Sequence, residues 1–161
     1  MNKSISVRSA ARVLFGLSVF CVALAQAETP LERGAYLVQG IAACGNCHTP
    51  KGPEGDIPGM ELAGMIYKDP EGKVIYELPN ITPDLETGIG AWTDEQLVAA
   101  IREGRRPDGS VMTGIMPFEL YRGISDSDVR AIVAYMRSVP AIENKIPRPE
   151  LGETVRRLGS E

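Results

Sequence analysis

The run Cys44-Gly45-Asn46-Cys47-His48 constrains this 161-residue chain more than any other feature of it. Residues three and four apart on a helix share a face, so one turn can point two thiols and an imidazole at the same object. His48 is the only histidine of the chain, and the third cysteine, Cys21, lies in an N-terminal stretch that reads as a removable leader. A structural zinc site normally takes four Cys or His ligands, more than the three that remain. A thioredoxin-like redox pair sits in a βαβ pattern, and residues 30 to 50 do not alternate like a strand. A plain disulfide gives no reason for the adjacent histidine.

C-x-x-C-H is the pattern of covalent haem attachment. Two sulfurs spaced in this way can add to neighbouring vinyl groups of a porphyrin while the imidazole reaches the iron. Cys44 and Cys47 are therefore the expected thioether sites of one haem c, and His48 its axial ligand. With its single imidazole on iron, the chain keeps none as a general base, and neither a Ser/His/Asp nor a Cys/His arrangement can be assembled. Hydrolytic chemistry lacks its commonest part.

The N-terminus reads as an export address. Lys3, Arg8 and Arg12 form a basic region, Val13 to Ala25 is an apolar run, and Ala25-Gln26-Ala27 is an A-x-A cleavage pattern. The run is shorter than the roughly 20 apolar residues of a membrane span. Bulky Val19 and Phe20 speak against lipidation of Cys21. The expected organisation is a signal peptide over 1–27, one domain over 28–140 and an extended tail over 141–161, in a periplasmic protein without a membrane span. Three of the 17 basic residues precede residue 28 and all 21 acidic ones follow Ala27, so the mature chain carries 14 basic against 21 acidic residues, a net −7. That charge argues against nucleic acid as a partner.

Helix signals recur. Thr29, Pro30 and Glu32 supply an N-cap, a first-turn proline and a capping-box acid, ahead of an inner face of Leu31, Ala35, Val38, Ile41 and Ala42. Thr93 and Gln96 repeat the box before Leu97, Val98 and Ile101, with Gly104 as the stop. Ser125 and Asp128 start a third helix whose Val129, Ile132, Val133 and Met136 share a face, ending before Pro140. Between them, residues 50 to 92 are rich in Gly and Pro and predict mostly loop. Within it, Met65-Ile66-Tyr67 and Val74-Ile75-Tyr76 flank Asp69-Pro70-Glu71-Gly72 and predict a small hairpin around a type I turn.

A sixth iron ligand has to come from methionine, whose thioether raises the potential of a haem iron. The candidates are Met60, Met65, Met112, Met116 and Met136. Met136 falls on an apolar helix face, where core filling is expected. Met116 precedes Pro117, which biases it toward extended backbone in the loop between the second and third helices. It is the first choice, with Met112 next and Met60 and Met65 behind. Arg102, Arg105 and Arg106 could guide a docking partner, although solvation of a helix end is the blander role.

Gly34-Ala35-Tyr36-Leu37, Cys44-Gly45-Asn46-Cys47-His48, Ile115-Met116-Pro117-Phe118 and Ala131-Ile132-Val133-Ala134-Tyr135-Met136 together resemble a class I monohaem cytochrome c over roughly Leu31 to Pro140. Pro79-Asn80-Ile81-Thr82-Pro83-Asp84 and Glu86 to Trp92 are similar to haem modules of the cytochrome subunits of membrane-bound alcohol and sugar-acid dehydrogenases. Those subunits typically carry several haems, and this chain has one motif. The resemblance implies an all-α cytochrome c fold, with three to four short helices around one covalent haem and a long Gly/Pro-rich loop holding the hairpin. It implies Cys44 and Cys47 as attachment sites, His48 and Met116 as axial ligands, and first and last helices crossing near Gly34 with Tyr36 and Tyr135 as aromatic contacts. The expected function is single-electron transfer, not enzymatic catalysis, between redox partner proteins: a dehydrogenase, a terminal oxidase or another cytochrome. A peroxidase-like or sulfur-oxidising haem enzyme and a gas-binding haem sensor are the alternatives, and both need an iron site that Met116 does not fill.

Overall fold

A computed structural model describes residues 27–68, 70, 75–112 and 115–147. The leader, most of the hairpin turn and the last 14 residues of the expected tail lie outside that set. In order, the elements are α1 (Pro30–Tyr36), a π-helical turn (Leu37–Ile41), α2 (Gly45–His48), β1 (Lys51–Gly52), β2 (Gly55–Asp56), β3 (Met65–Lys68), β4 (Ile75–Leu78), α3 (Asp94–Glu103), α4 (Phe118–Tyr121) and α5 (Asp126–Ser138).

The capping residues form the ends foreseen for them. Thr29 accepts from the backbone of Glu32, whose carboxylate accepts from Thr29 N–H, and Thr93 and Gln96 do the same at α3. Ser125 accepts from Asp128 N–H at the start of α5. Gly104 ends α3 at φ 64°, a left-handed conformation that costs glycine little. The core joins Leu37 and Val38 to Leu62, Ile89, Leu97 and Ile101, and to Val129, Ile132, Val133 and Met136 of α5. Helices α1 and α5 cross at Gly34, where an added Cβ would overlap the Ala131 carbonyl oxygen and lie 2.7 Å from Tyr135 Cβ.

The all-α expectation is corrected. Five α-helices, rather than three or four, are joined by two small antiparallel sheets, β1 with β2 and β3 with β4. The second sheet is the expected hairpin, registered Met65 to Leu78 and Tyr67 to Tyr76, with the two tyrosine rings stacked at 6.1 Å. Alternating aromatic and β-branched residues pair well across strands, and that local preference makes a sheet inside a helical domain. The first sheet, Lys51 to Asp56 and Gly52 to Gly55, has no hydrophobic alternation and rests on a tight turn and the Lys51–Asp56 ion pair.

The inner face of the first helix also differs. Gly34, Leu37 and Val38 are buried, while Leu31 is 49% and Ile41 70% exposed. The π-helical turn is the reason: one extra residue in the turn rotates everything after it away from the 3.6-residue period. Tyr36 is 53% exposed and lies under the Arg33 guanidinium instead of contacting Tyr135, which packs on the core and whose hydroxyl meets Gln39. Residues 141–147 have no regular structure, yet they are hydrogen-bonded back onto the loop between β4 and α3.

Candidate haem-attachment site

The Cys motif is set off from α1 by one strained residue. Ala43 has φ 46°, where an L side chain is disfavoured, and this turn aims α2 away from the preceding helix. Cys44 N–H donates back to Val38 O at 3.0 Å, and His48 N–H to Cys44 O at 2.9 Å. Cys44 packs against the core, Cys47 is exposed, and both are free thiols. Burial pushes the Cys44 thiol up to about 11, so in the unmodified chain it is protonated at neutral pH.

His48 is buried and held from two directions. Its Nδ1 lies 2.7 Å from Pro79 O, and its own carbonyl accepts from Gly64 N–H at 2.6 Å. A carbonyl oxygen only accepts, so Nδ1 carries the proton and Nε2 keeps its lone pair for a ligand. Burial lowers the pKa of the ring, opposed by the Pro79 contact, and favours this neutral form. The next residue, Thr49, accepts from Leu62 N–H at 3.1 Å, and Ile81 N–H reaches Leu62 O at 2.9 Å, so the loop wraps the motif on its outer side.

The segment carrying Met116 folds back toward the same place. Pro117 caps α4, and at the other end of that helix the Tyr121 hydroxyl donates to Ala42 O at 2.9 Å. Burial first, and then the nearby Cys44 and Cys47, raise the pKa of Tyr121. Met116 itself is half-buried, as is Met112, whose N–H donates to Gly104 O. Met60 and Met65 instead line an open groove with Pro50, Tyr67, Asn144 and Ile146. Met136 is a core residue. The three arginines suggested for docking have internal partners: Arg102 with Asp126 and Ile124 O, Arg105 with Glu103, Arg106 with Ser110.

Sequence reasoning missed Tyr121, Gly64 and Asn144, and took Asn80 and Thr82 only as part of a resemblance. Asn80 and Thr82 are 2% and 0% exposed, and Asn80 Oδ1 accepts from Thr82 N–H at 2.9 Å and Oγ1–H at 2.7 Å. Asn and Thr packed between Pro79 and Pro83 were the available signal, since such residues bond locally to backbone.

These residues fit a covalently attached haem: two free thiols one turn apart, then an imidazole whose second nitrogen is already committed. Among the described residues no group of three or more His, Cys, Asp or Glu could hold a metal ion by itself, and no helix is long and apolar enough to cross a membrane.

Comparison with known proteins agrees with that chemistry. A nicotinate dehydrogenase subunit from Pseudomonas putida is 35% identical over 121 residues, 75% of this chain and 10% of that protein. The cytochrome c subunit of a quinone-dependent alcohol dehydrogenase from Gluconobacter oxydans is 31% identical over 119 residues, 71% of this chain and 25% of that one. The cytochrome subunit of a fructose dehydrogenase from Gluconobacter japonicus is 38% identical over 130 residues, 79% and 25%. The chain thus spans a tenth to a quarter of the length of these relatives. Residues 29–136 match the family model described as cytochrome c oxidase, cbb3-type, subunit III. The chain belongs to that cytochrome c family, whose members bind haem c covalently.

Proposed function

We propose that this protein is an exported electron carrier with one haem c, bound through Cys44 and Cys47 and ligated by His48 and Met116. The observation that carries the reading is the Nδ1 contact of His48 with Pro79 O, which leaves Nε2 as the ligand atom directly after two free thiols. The one Cys-x-x-Cys-His run of the sequence supports a single haem. Bound haem supplies a one-electron couple. His48 orients on Pro79 and gives the iron a neutral nitrogen, Met116 adds a soft thioether that favours the reduced state, and the core residues around Cys44 exclude water. With both axial positions filled by side chains, no site is left for a reacting substrate.

The proposed setting is the periplasm, reached through the leader ending at Ala27, with the domain at 28–140 and the tail from 141 onward. The names of the relatives support a dehydrogenase as electron donor and a terminal oxidase or another cytochrome as acceptor.

The test is a mass and absorption measurement on protein exported with a working maturation system. The expected result is one covalent haem, a Met-to-ferric-iron charge-transfer band that resists cyanide and azide, and slow carbon monoxide binding. In Met116→Ala that band disappears, carbon monoxide binds readily and the potential falls. Mature protein without added porphyrin overturns the function, and a Met116→Ala variant matching the parent overturns the sixth ligand. Rapid carbon monoxide binding by the parent would favour a sensor or an enzyme.

A further inference from the structure

We propose that residues 141–147 form a strap that holds His48 in its ligating geometry, with Asn144 as the positioning residue; this rests on His48 being the iron ligand. His48 is gripped by two stretches of irregular backbone, Pro79 O at Nδ1 and Gly64 N–H at its carbonyl. Neither stretch is held there by a helix or a sheet ladder. The two touch one another, because Gly64 sits at φ +81° and a Cβ there would lie 2.5 Å from Asn80 N and 2.6 Å from Pro79 C. They therefore move as a unit, and that unit is what the strap grips.

Asn144 Nδ2 donates to Ala63 O at 2.9 Å and to Gly64 O at 3.1 Å, while its backbone N–H donates to Thr87 Oγ1 at 3.0 Å. On the other stretch, Asn80 Nδ2 donates to Ile142 O at 2.7 Å, and Ile142 N–H donates to Thr82 Oγ1 at 3.2 Å. Each of the two contacts of His48 is thus at most one residue from a strap anchor. A side-chain amide suits position 144 because its NH₂ group can donate to two carbonyls at once, which neither a carboxylate nor an alkyl group can do. Partners of the second nitrogen of a ligating histidine set its ring orientation and its donor strength. A slack strap lets Pro79 O drift from Nδ1–H, weakens the imidazole as a donor, and favours ferrous over ferric iron.

The experiment compares the exported holoprotein with Asn144→Leu, Asn144→Gln and Thr87→Val, reading the reduction potential and the exchange rate of the His48 Nδ1 proton. Gly34→Ala serves as a variant destabilised at a joint that does not touch this frame. The expected result for Asn144→Leu is a shift of about tenfold toward the reduced form, about 59 mV for one electron, with at least tenfold faster proton exchange. Asn144→Gln should recover part of both, and Thr87→Val should move both by less in the same direction. Should Asn144→Leu not accumulate as holoprotein, the other two variants carry the same expectation. An unchanged potential and proton exchange in variants that melt early, as expected of Gly34→Ala, would make the strap merely structural and sink the proposal. Parent protein lacking covalent haem would instead remove the reading on which it rests.

Discussion

Gly34→Ala tests the central joint of the fold, because two well-measured effects push it in opposite directions. Alanine in a helix interior is favoured over glycine by about 1 kcal/mol, so an exposed site would be stabilised. Here the new methyl group would overlap Ala131 O and lie 2.7 Å from Tyr135 Cβ and 2.8 Å from Ala131 C, where carbon atoms pack best at about 3.5 to 4.0 Å. Most of what it meets is main chain, so no rotamer change relieves it, and α1 and α5 must part by about 1 Å. Overpacking of that kind costs about 1–3 kcal/mol, and an unyielding neighbour puts it at the upper end. The net effect is a loss of about 2 kcal/mol, or about 10 °C in Tm for a domain near 100 residues. Thermal unfolding of the holoprotein followed at 222 nm measures it. The second mutation Ala131→Gly should give no rescue, since the obstructing atoms belong to the backbone. A Gly34→Ala protein that melts at or above the parent, or a rescue by Ala131→Gly, would refute the close crossing.

Three further outcomes follow from the same geometry. Arg137 fans its guanidinium over Ile89 O, Gly90 O and Trp92 O and pairs with Asp94, so Arg137→Ala should lose about 2–3 kcal/mol in denaturant unfolding. Arg137→Lys should regain only part of that, since one ammonium cannot span the fan, and full recovery would show that charge alone matters. The two hydrogen bonds from Arg33 hold the Asp128 carboxyl below the usual carboxylate range, and the Thr87 hydroxyl does the same for Asp84. A folded pKa below the unfolded one means stabilisation that is complete above about pH 4 and is lost as pH falls through the folded values. Tm should therefore hold between pH 7 and 5 and drop below about 4, less steeply in Arg33→Met; a decline that starts at neutral pH contradicts this. Finally, Cys44→Ala with Cys47→Ala should leave a chain that is largely unfolded or degraded on export, because so small a core depends on the macrocycle. A cooperatively melting apo-protein would show otherwise.

What could be read along the chain was whatever a few neighbouring residues decide among themselves. Both capping boxes, the Ser125 cap, the Gly104 stop and the hairpin of Met65 with Leu78 rest on interactions within a turn or across a short loop, and each formed as its residues indicated. The exposed Ile41 shows the limit of that logic. Its apolar character fits the helical period from Leu31, yet the π-helical turn and the left-handed Ala43 break the period just before the Cys motif. Nothing in Leu37 to Ala43 announces the break, because the strain is imposed by where Cys44 must sit. Helix α4 and the β1–β2 pair are four residues or fewer per element, too short for periodicity to mark.

The candidate site divides along the same line. Cys44, Cys47 and His48 are adjacent in sequence because one helical turn must serve two sulfurs and one nitrogen, so their chemistry is legible in five letters. Their surroundings are assembled from Gly64, Pro79, Tyr121 and Asn144, between 16 and 96 positions beyond His48. A side-chain amide that reaches two carbonyls across such a gap leaves no period and no spacing rule. Its only trace is a polar residue that ends up partly buried with each hydrogen bond satisfied, and in a sequence it looks like any other surface asparagine. Identity of the ligand set and tuning of the ligand set are therefore written in different places: the first in a contiguous motif, the second in loop and tail residues that only the folded chain brings together. Substitutions in the tail should accordingly leave the haem attached while changing how it holds its electron.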